Sequence, residues 1–156
     1  MIQVRSEKEE PMQVISFDAK LKGNILPEMF SIVEIEAFLD KRDANNCATG
    51  QVVVYRGAND VDVDGTASAV YDKIKQACDE GNILAPFIRL NDPDEQFDMF
   101  INVDHVKRLS TEDGKCVIQL THRRVCVLGL DTEAVNKAIE SRREACDLMA
   151  AVKEVQ

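Results

Sequence analysis

The 156-residue sequence lacks a long apolar run, and no stretch of it approaches the roughly 20 apolar residues that a membrane-spanning helix requires. Its first residues, MIQVRSEKEEP, also lack the apolar centre of a signal peptide. They form a charged stretch that ends in proline, so we predict a mobile arm at residues 1–11. These absences lead us to expect a cytoplasmic protein without a membrane partner.

Cysteine motifs are missing as well. The five cysteines are odd in number and form no CxxC pair. Cys116 and Cys126 fall inside predicted strands, where a cysteine is most simply interpreted as a small buried apolar residue in a reducing compartment.

Signatures of catalysis are not found either. No serine lies in a nucleophile-elbow pattern, and there is neither a glycine-rich phosphate loop nor an HExxH motif. We therefore predict no catalytic residue and no cofactor, apart from the calcium considered below, and the sequence favours a protein that is not an enzyme.

A basic surface is not evident from the composition. The formal net charge is −9; residues 1–80 hold nine basic and fifteen acidic side chains, and residues 81–156 hold ten and thirteen. Proteins that bind nucleic acid usually present a basic face, so we expect no nucleic-acid partner.

What the sequence does contain is an internal similarity between residues 51–74 and 115–139. Apolar positions of two short strands align, Gly65 aligns with Gly129, and SAVYDKI aligns with EAVNKAI after a one-residue slip. Such similarity indicates a duplicated unit. We predict an α+β fold of two tandem copies, residues 12–82 and 83–156. Each copy is a small antiparallel sheet followed by a helix, and the copies pack as a pseudo-twofold pair.

Each predicted copy contains two strands, a hairpin and a helix. Residues 25–38 and 99–109 are rich in β-branched and aromatic side chains, and each is predicted as one strand. Two-residue turns are predicted at residues 58–59 and 122–123. These turns would pair Val54 with Val63 and Ile118 with Val127.

Residues 60–65 read DVDVDG. The motif resembles the first half of an EF-hand calcium loop, D-x-D-x-D-G, and the resemblance implies Asp60, Asp62 and Asp64 as oxygen ligands. It departs from that loop because Tyr71 stands at the twelfth position and a strand precedes it. The alternative is a strand whose valines lie in the core and whose aspartates face solvent.

Basic residues cluster at Lys107-Arg108 and Arg123-Arg124. The first pair lies on the predicted strand of residues 99–109, and the second lies at a predicted hairpin tip. They could form a small anion or nucleotide site where the two copies meet. Ordinary surface charge on a hairpin is the alternative.

The chain has no glycine or proline from residue 131 to residue 156, which predicts a long final helix. At 1.5 Å per residue, roughly 23 helical residues reach about 35 Å, more than one small sheet covers. The apolar residues of the last turns are predicted to pack on the other copy or on another chain; they include Cys146, Met149 and Val152.

These observations together favour a non-enzymatic binding or assembly protein. Its partner would be another protein or a second copy, reached through the C-terminal helix. The first alternative is a protein that sequesters a small ligand or nucleotide through Lys107, Arg108, Arg123 and Arg124. The second is a calcium-binding domain.

Overall fold

The computed structural model describes residues 14–21, 24–45, 47–92 and 97–155. It confirms the α+β class. The strands are β1 (Val14–Leu21), β2 (Asn24–Ser31), β3 (Ile35–Arg42), β4 (Ala48–Arg56), β5 (Asn59–Asp64), β6 (Phe87–Asp92), β7 (Phe97–Asn102), β8 (Arg108–Glu112), β9 (Lys115–Gln119) and β10 (Arg124–Leu128). The helices are α1 (Ala67–Glu80) and α2 (Thr132–Val155), and short 3-10 turns lie at Ile32–Glu34 and Val103–His105.

Seven strands form one antiparallel sheet in the order β2-β1-β5-β4-β3-β7-β6. The sheet crosses the predicted boundary between copies where β3 pairs with β7, with Phe38 opposite Phe100. Their rings stack with centroids 4.9 Å apart. Because one sheet contains strands from both sides of residue 82, the predicted pair of separate, equivalent sheets is wrong.

The two halves share an order of elements but differ in pairing. Each half runs through two strands, a 3-10 turn, three strands and a helix. In the first half, β1 pairs with β5 and closes a continuous sheet. In the second, β8, β9 and β10 form a separate three-stranded sheet in the order β10-β9-β8. The duplication inferred from the sequence is therefore not shown, and the division at residues 82 and 83 stays a prediction.

The seven-stranded sheet has a core on each face. On one face α1 packs its apolar side, and Val70, Ile74 and Cys78 lie there with Val54 and Phe38. Helix α1 begins because the Thr66 side chain accepts the backbone N–H of Ala69 at 3.2 Å.

The opposite face is covered by the three-stranded sheet and α2. Val135 and Ile139 of α2 pack with Cys116, Ile118 and Ile101. The backbone N–H of Ala134 donates to the Asp131 carboxylate at 3.2 Å, so Asp131 supports the start of this helix. The molecule is thus layered, with α1 on one face of the large sheet and the small sheet with α2 on the other.

The hairpin registers differ from the predicted ones by two residues. Val54 pairs with Val61 rather than Val63, and Ile118 pairs with Val125 rather than Val127. A shift of two keeps every side chain on its face, so the predicted apolar faces are right although the turns are misplaced. Gly57 takes a φ of 55° in the first turn, a conformation that glycine adopts without steric cost.

The two long predicted strands are each interrupted. Residues 25–38 divide into β2, the 3-10 turn and part of β3, and residues 99–109 divide in the same way. Residues 39–42 end β3, and residues 48–49 begin β4.

Other predictions concern the ends of the chain and the cysteines. The predicted arm, residues 1–11, lies outside the described residues. Cys116 is buried, but Cys126 is exposed, so its predicted burial is wrong. In the described part of the chain, no helix is both long and apolar enough to span a membrane.

Candidate functional site

Three of the four predicted ligand residues lie on one surface. Lys107, Arg108 and Arg124 are exposed and belong to or border the three-stranded sheet. Arg123 turns away from them toward the seven-stranded sheet and is only 15% exposed. The predicted set is therefore divided by the fold into an exposed group and one inward arginine.

The strand register shows which side chains share the outer face of the small sheet. Gln119 of β9 lies opposite Arg108 of β8 and Arg124 of β10. The next row on that face joins Val117 to Ser110 and Cys126. Adjacent strands are about 4.8 Å apart, so Arg108 and Arg124 stand on backbones roughly 10 Å apart. We call Lys107, Arg108, Gln119 and Arg124 the basic end of the sheet.

The positive charges at the basic end are weakly engaged. Within the described part of the chain, neither Lys107 nor Arg108 makes an ion pair. Arg124 Nη2 lies 3.0 and 3.1 Å from the two carboxylate oxygens of Glu112, but both side chains are 52% exposed. Exposed pairs of this kind are typically worth less than about 1 kcal/mol, so Arg124 can exchange Glu112 for another anion.

The Arg124–Glu112 pair also crosses the middle strand. Arg124 belongs to the first cross-strand row and Glu112 to the third, and Val117 stands between them in the second. Val117 is 4% exposed although it points away from both apolar cores. The aliphatic stems of the pair account for its cover.

The loop between β9 and β10 is attached to the first half by a buried carboxylate. Glu36 is 0% exposed, and its Oε1 accepts the backbone N–H of His122 at 3.1 Å. The His122 Nδ1 bonds to Oε2 of the same carboxylate. Burial alone would raise the pKa of Glu36, but the hydrogen bonds from His122 and the charge of Arg123 outweigh burial and lower the pKa.

Arg123 extends this attachment. Its Nε lies 3.5 Å from Glu36 Oε1, its Nη1 donates to Asp60 at 2.6 Å, and its Nη2 donates to the carbonyl of Gly57. The guanidinium also lies over the Tyr55 ring, 4.6 Å from its centroid. Arg123 therefore fixes the loop in place and is not available to a ligand.

A second histidine holds the same loop. His105 Nε2 lies 2.7 Å from the carbonyl of Val33, so this nitrogen must donate. Its Nδ1 lies 2.8 Å from the hydroxyl of Thr121 and can accept from it when the ring is neutral. Gln119 adds two bonds within the loop, to the carbonyls of Leu120 and Arg123. Glu36, His105 and Gln119 therefore all hydrogen-bond to the loop beside the basic end.

The three aspartates of DVDVDG lie along β5, with Val61 and Val63 in the core between them. Each contacts a different partner: Asp60 pairs with Arg123, Asp62 with Lys41, and Asp64 accepts from Gln51. Among the described residues, no three His, Cys, Asp or Glu side chains group as a metal ion requires. Calcium binding there stays a prediction; calorimetric titration with Ca²⁺ and Asp62→Ala would test it.

The predicted interface residues lie on the last turns of α2. Cys146 is half-buried, and its Sγ lies 3.8 Å from the carbonyl of Leu84. Met149 is 40% exposed and Leu148, which sequence reasoning did not select, is 65% exposed. The side chain of Val152 lies outside the described residues.

Glu36 is the residue that sequence reasoning missed. It sits in an apolar strand between Ile35 and Ala37, where alternation gives no reason to select a carboxylate. A β-bulge interrupts the register, since Ile35 pairs with Arg56 but Ala37 pairs with Tyr55. The bulge leaves Glu36 without a cross-strand partner and turns it toward the loop. A charged residue inside an apolar strand was the available signal.

Comparison with known proteins finds likeness in structure but none in sequence. No protein-family model matches the chain, and no curated protein matches it. Among solved structures, the chain is similar to a LytTr DNA-binding domain of a response regulator from Bacillus cereus. The chains are 14% identical, with a TM-score of 0.49, and the match covers 83% of this chain and 98% of that one. At this identity no residue role transfers.

This likeness corrects several predictions. The neighbour is described as a DNA-binding domain, against our expectation of a protein-binding or assembly function and of no nucleic-acid partner. This description contradicts those expectations and the oligomer that accompanied them, while the tandem repeat is not shown.

Proposed function

We propose that this chain binds nucleic acid through phosphate contacts made by the basic end of the three-stranded sheet. The observation that carries the proposal is the geometry of Lys107, Arg108 and Arg124. Arg108 and Arg124 are exposed on one sheet face, and Lys107 is exposed just before the strand that carries Arg108. Lys107 and Arg108 are free of ion pairs within the described part of the chain. Arginine and lysine supply most contacts to phosphate in complexes with nucleic acid.

The distribution of charge supports this assignment within an acidic protein. The sequence carries −9 in total, but β8 and β10 bring Arg108 and Arg124 together at one end of the small sheet. A local basic surface, rather than net charge, decides where a polyanion can approach.

The composition of the face indicates how the nucleic acid would be recognised. The strands read RLSTE, KCVIQ and RVCVL and contain no aromatic residue. Stacking on aromatic rings is therefore not available on these strands, and the contacts are to the backbone. We expect binding that depends strongly on salt and weakly on base sequence, with the micromolar or weaker affinity typical of non-specific complexes.

The rigid loop contributes by positioning. Glu36, His105 and Gln119 hold residues 120–123 in place, and Arg124 follows directly. A cation held on a fixed backbone loses less entropy when a phosphate binds.

The cytoplasm is part of this proposal. All five cysteines are free thiols, which is typical of proteins in a reducing compartment.

Fluorescence anisotropy with a labelled 20-base-pair duplex DNA tests the proposal. Arg108→Gln should weaken binding about threefold to tenfold at low salt and reduce the slope of log affinity against log salt by about 1. Lys75→Gln, an equal loss of charge at an exposed position on α1, is the matched control and should change affinity little. Equal losses for the two variants, or no binding by the unaltered protein at 50 mM salt, would overturn the proposal.

A thiol reagent gives an independent measurement. Cys126 lies in the middle row of the outer face and is exposed, as is the distant Cys47. Bound duplex should slow modification of Cys126 and leave Cys47 unchanged. Equal protection of both thiols would contradict binding at this face.

A further inference from the structure

We infer that the groove between β6 and α2 is a binding site for a small organic carboxylate. The inference concerns a surface apart from the basic end and does not rest on the proposed nucleic-acid function. The groove has a volume of about 480 Å³, within the range of natural ligand sites.

The groove exists because the helix presents small side chains to the strand. Ala138, Ser141 and Ala145 line it from α2, and Ile88 lines it from β6. Residues spaced by three and four along a helix share one face, and none of these three is long enough to reach the sheet. The lining therefore offers apolar carbon on both walls and one hydroxyl between them.

Two arginines stand at the groove, and they differ in what they can offer. Arg89 donates from Nε and Nη2 to the two oxygens of Asp98, at 2.9 and 2.8 Å. Burial alone would raise the pKa of Asp98, but the hydrogen bonds from Arg89 and Asn91 outweigh it and lower the pKa. Arg89 is thus already paired with a carboxylate of this chain.

Arg142 supplies the charge. Its only hydrogen bond within the described part of the chain is a long one, 3.5 Å from Nη1 to the carbonyl of Ala85. It makes no ion pair with the described residues, and it is half-buried. Its remaining N–H groups can receive a carboxylate in the forked geometry that arginine favours.

These features together select one class of ligand. Because Arg89 is already paired with Asp98, Arg142 is the lining cation that can receive a monoanion. Arg142 binds the carboxylate, the Ser141 hydroxyl donates a further hydrogen bond, and the apolar body of the ligand lies on Ile88, Ala138 and Ala145. A dianionic phosphate would leave one charge uncompensated.

Titration with sodium hexanoate, followed by backbone amide NMR shifts, tests this site. We expect saturable shifts confined to residues 85–89 and 138–145. Hexanamide, which has the same apolar chain without the charge, should bind at least tenfold more weakly. Arg142→Gln should weaken hexanoate binding about tenfold or more, and Ser141→Ala about threefold.

Two further variants keep the test decisive. Ala145→Leu fills the groove with a good helix former, so it should fold and lose hexanoate binding. Arg108→Gln is the matched control for Arg142→Gln; it should keep hexanoate binding while it weakens duplex DNA, and Arg142→Gln should do the reverse. Shifts that do not saturate, or hexanoate binding that persists in Ala145→Leu, would overturn the inference and leave the nucleic-acid proposal untouched.

Discussion

The carboxylate of Glu36 accepts the backbone N–H of His122, a residue 86 positions further along the chain, at 3.1 Å. Glu36 is fully buried on β3, and His122 belongs to the loop that leads into β10. The contact joins the seven-stranded sheet to the three-stranded sheet through polar groups rather than apolar ones. A buried carboxylate is stable only with such partners. Removal of the Glu36 carboxylate should therefore destabilise the packing of both sheets.

Glu36→Ala should therefore destabilise the fold by about 3–5 kcal/mol, because the His122 N–H loses its acceptor and Arg123 loses one of its two carboxylate partners. Glu36→Gln keeps the shape but loses the charge, and should cost about 1.5–3 kcal/mol. Urea unfolding measures both. Asp62→Asn removes a partly exposed pair with Lys41 and should cost about 1 kcal/mol or less. Similar losses of unfolding free energy for Asp62→Asn and Glu36→Gln would show that the buried Glu36 contact stabilises the fold no more than the Lys41 pair does.

The lowered pKa of Glu36 predicts how this contribution depends on pH. The folded pKa lies below the ordinary value of 4.5, so folding favours the charged carboxylate. Its contribution is fully present above the unfolded pKa and is lost as pH falls through the folded pKa. The difference in unfolding free energy between the unaltered protein and Glu36→Gln should be constant from pH 7 to about pH 5 and shrink below that. A difference that grows on acidification would contradict the assigned direction.

The Phe38–Phe100 stack predicts that the chain unfolds as one unit. These rings join β3 to β7, and Phe38 is 0% exposed. Phe38→Ala should cost about 3–5 kcal/mol. A double-mutant cycle of Phe38→Leu and Phe100→Leu should give a coupling of about 0.5–1.5 kcal/mol. Two separate unfolding transitions in the unaltered protein would instead support independent halves. Val33→Ala, at a 58% exposed position, is the control.

Thiol accessibility should follow burial. Cys47 and Cys126 are exposed, so a thiol reagent should modify two cysteines rapidly in the native protein and all five after denaturation. Burial, with smaller contributions from Asp79 and Cys146, raises the pKa of Cys78 to about 11, and this thiol should be protected. Cys126→Ser should reduce the rapid count to one. Rapid modification of Cys78 would contradict its position on the buried face of α1.

The sequence predicted local features well where apolar periodicity was clear. The helix that follows the first hairpin and the strand that carries Val61 and Val63 follow from local pattern and propensity. The hairpin faces were right even though both registers were two residues out, because alternation fixes the face and not the turn.

Local sequence patterns did not predict which distant strands pair with each other. The β3–β7 pairing depends on which strands meet in space, and the similarity between the halves favoured a symmetric answer. The bulge at Glu36 has no signature beyond a charge in an apolar run. The basic end was not predicted, because a net charge of −9 does not indicate where Lys107, Arg108 and Arg124 lie relative to one another.

The Arg124–Glu112 pair provides a test in which two substitutions in one ion pair have opposite effects. Arg124→Gln removes a phosphate contact and should weaken duplex DNA binding about threefold to tenfold. Glu112→Gln releases Arg124 and removes a negative charge from the same face, so it should strengthen binding about twofold to fivefold at low salt, with the gain fading as salt rises. Both variants lose the same exposed ion pair, so a stability effect would move them in the same direction. If the face binds an anion, Arg124→Gln should lower the affinity for DNA and Glu112→Gln should raise it. A loss of affinity in both variants would exclude that role.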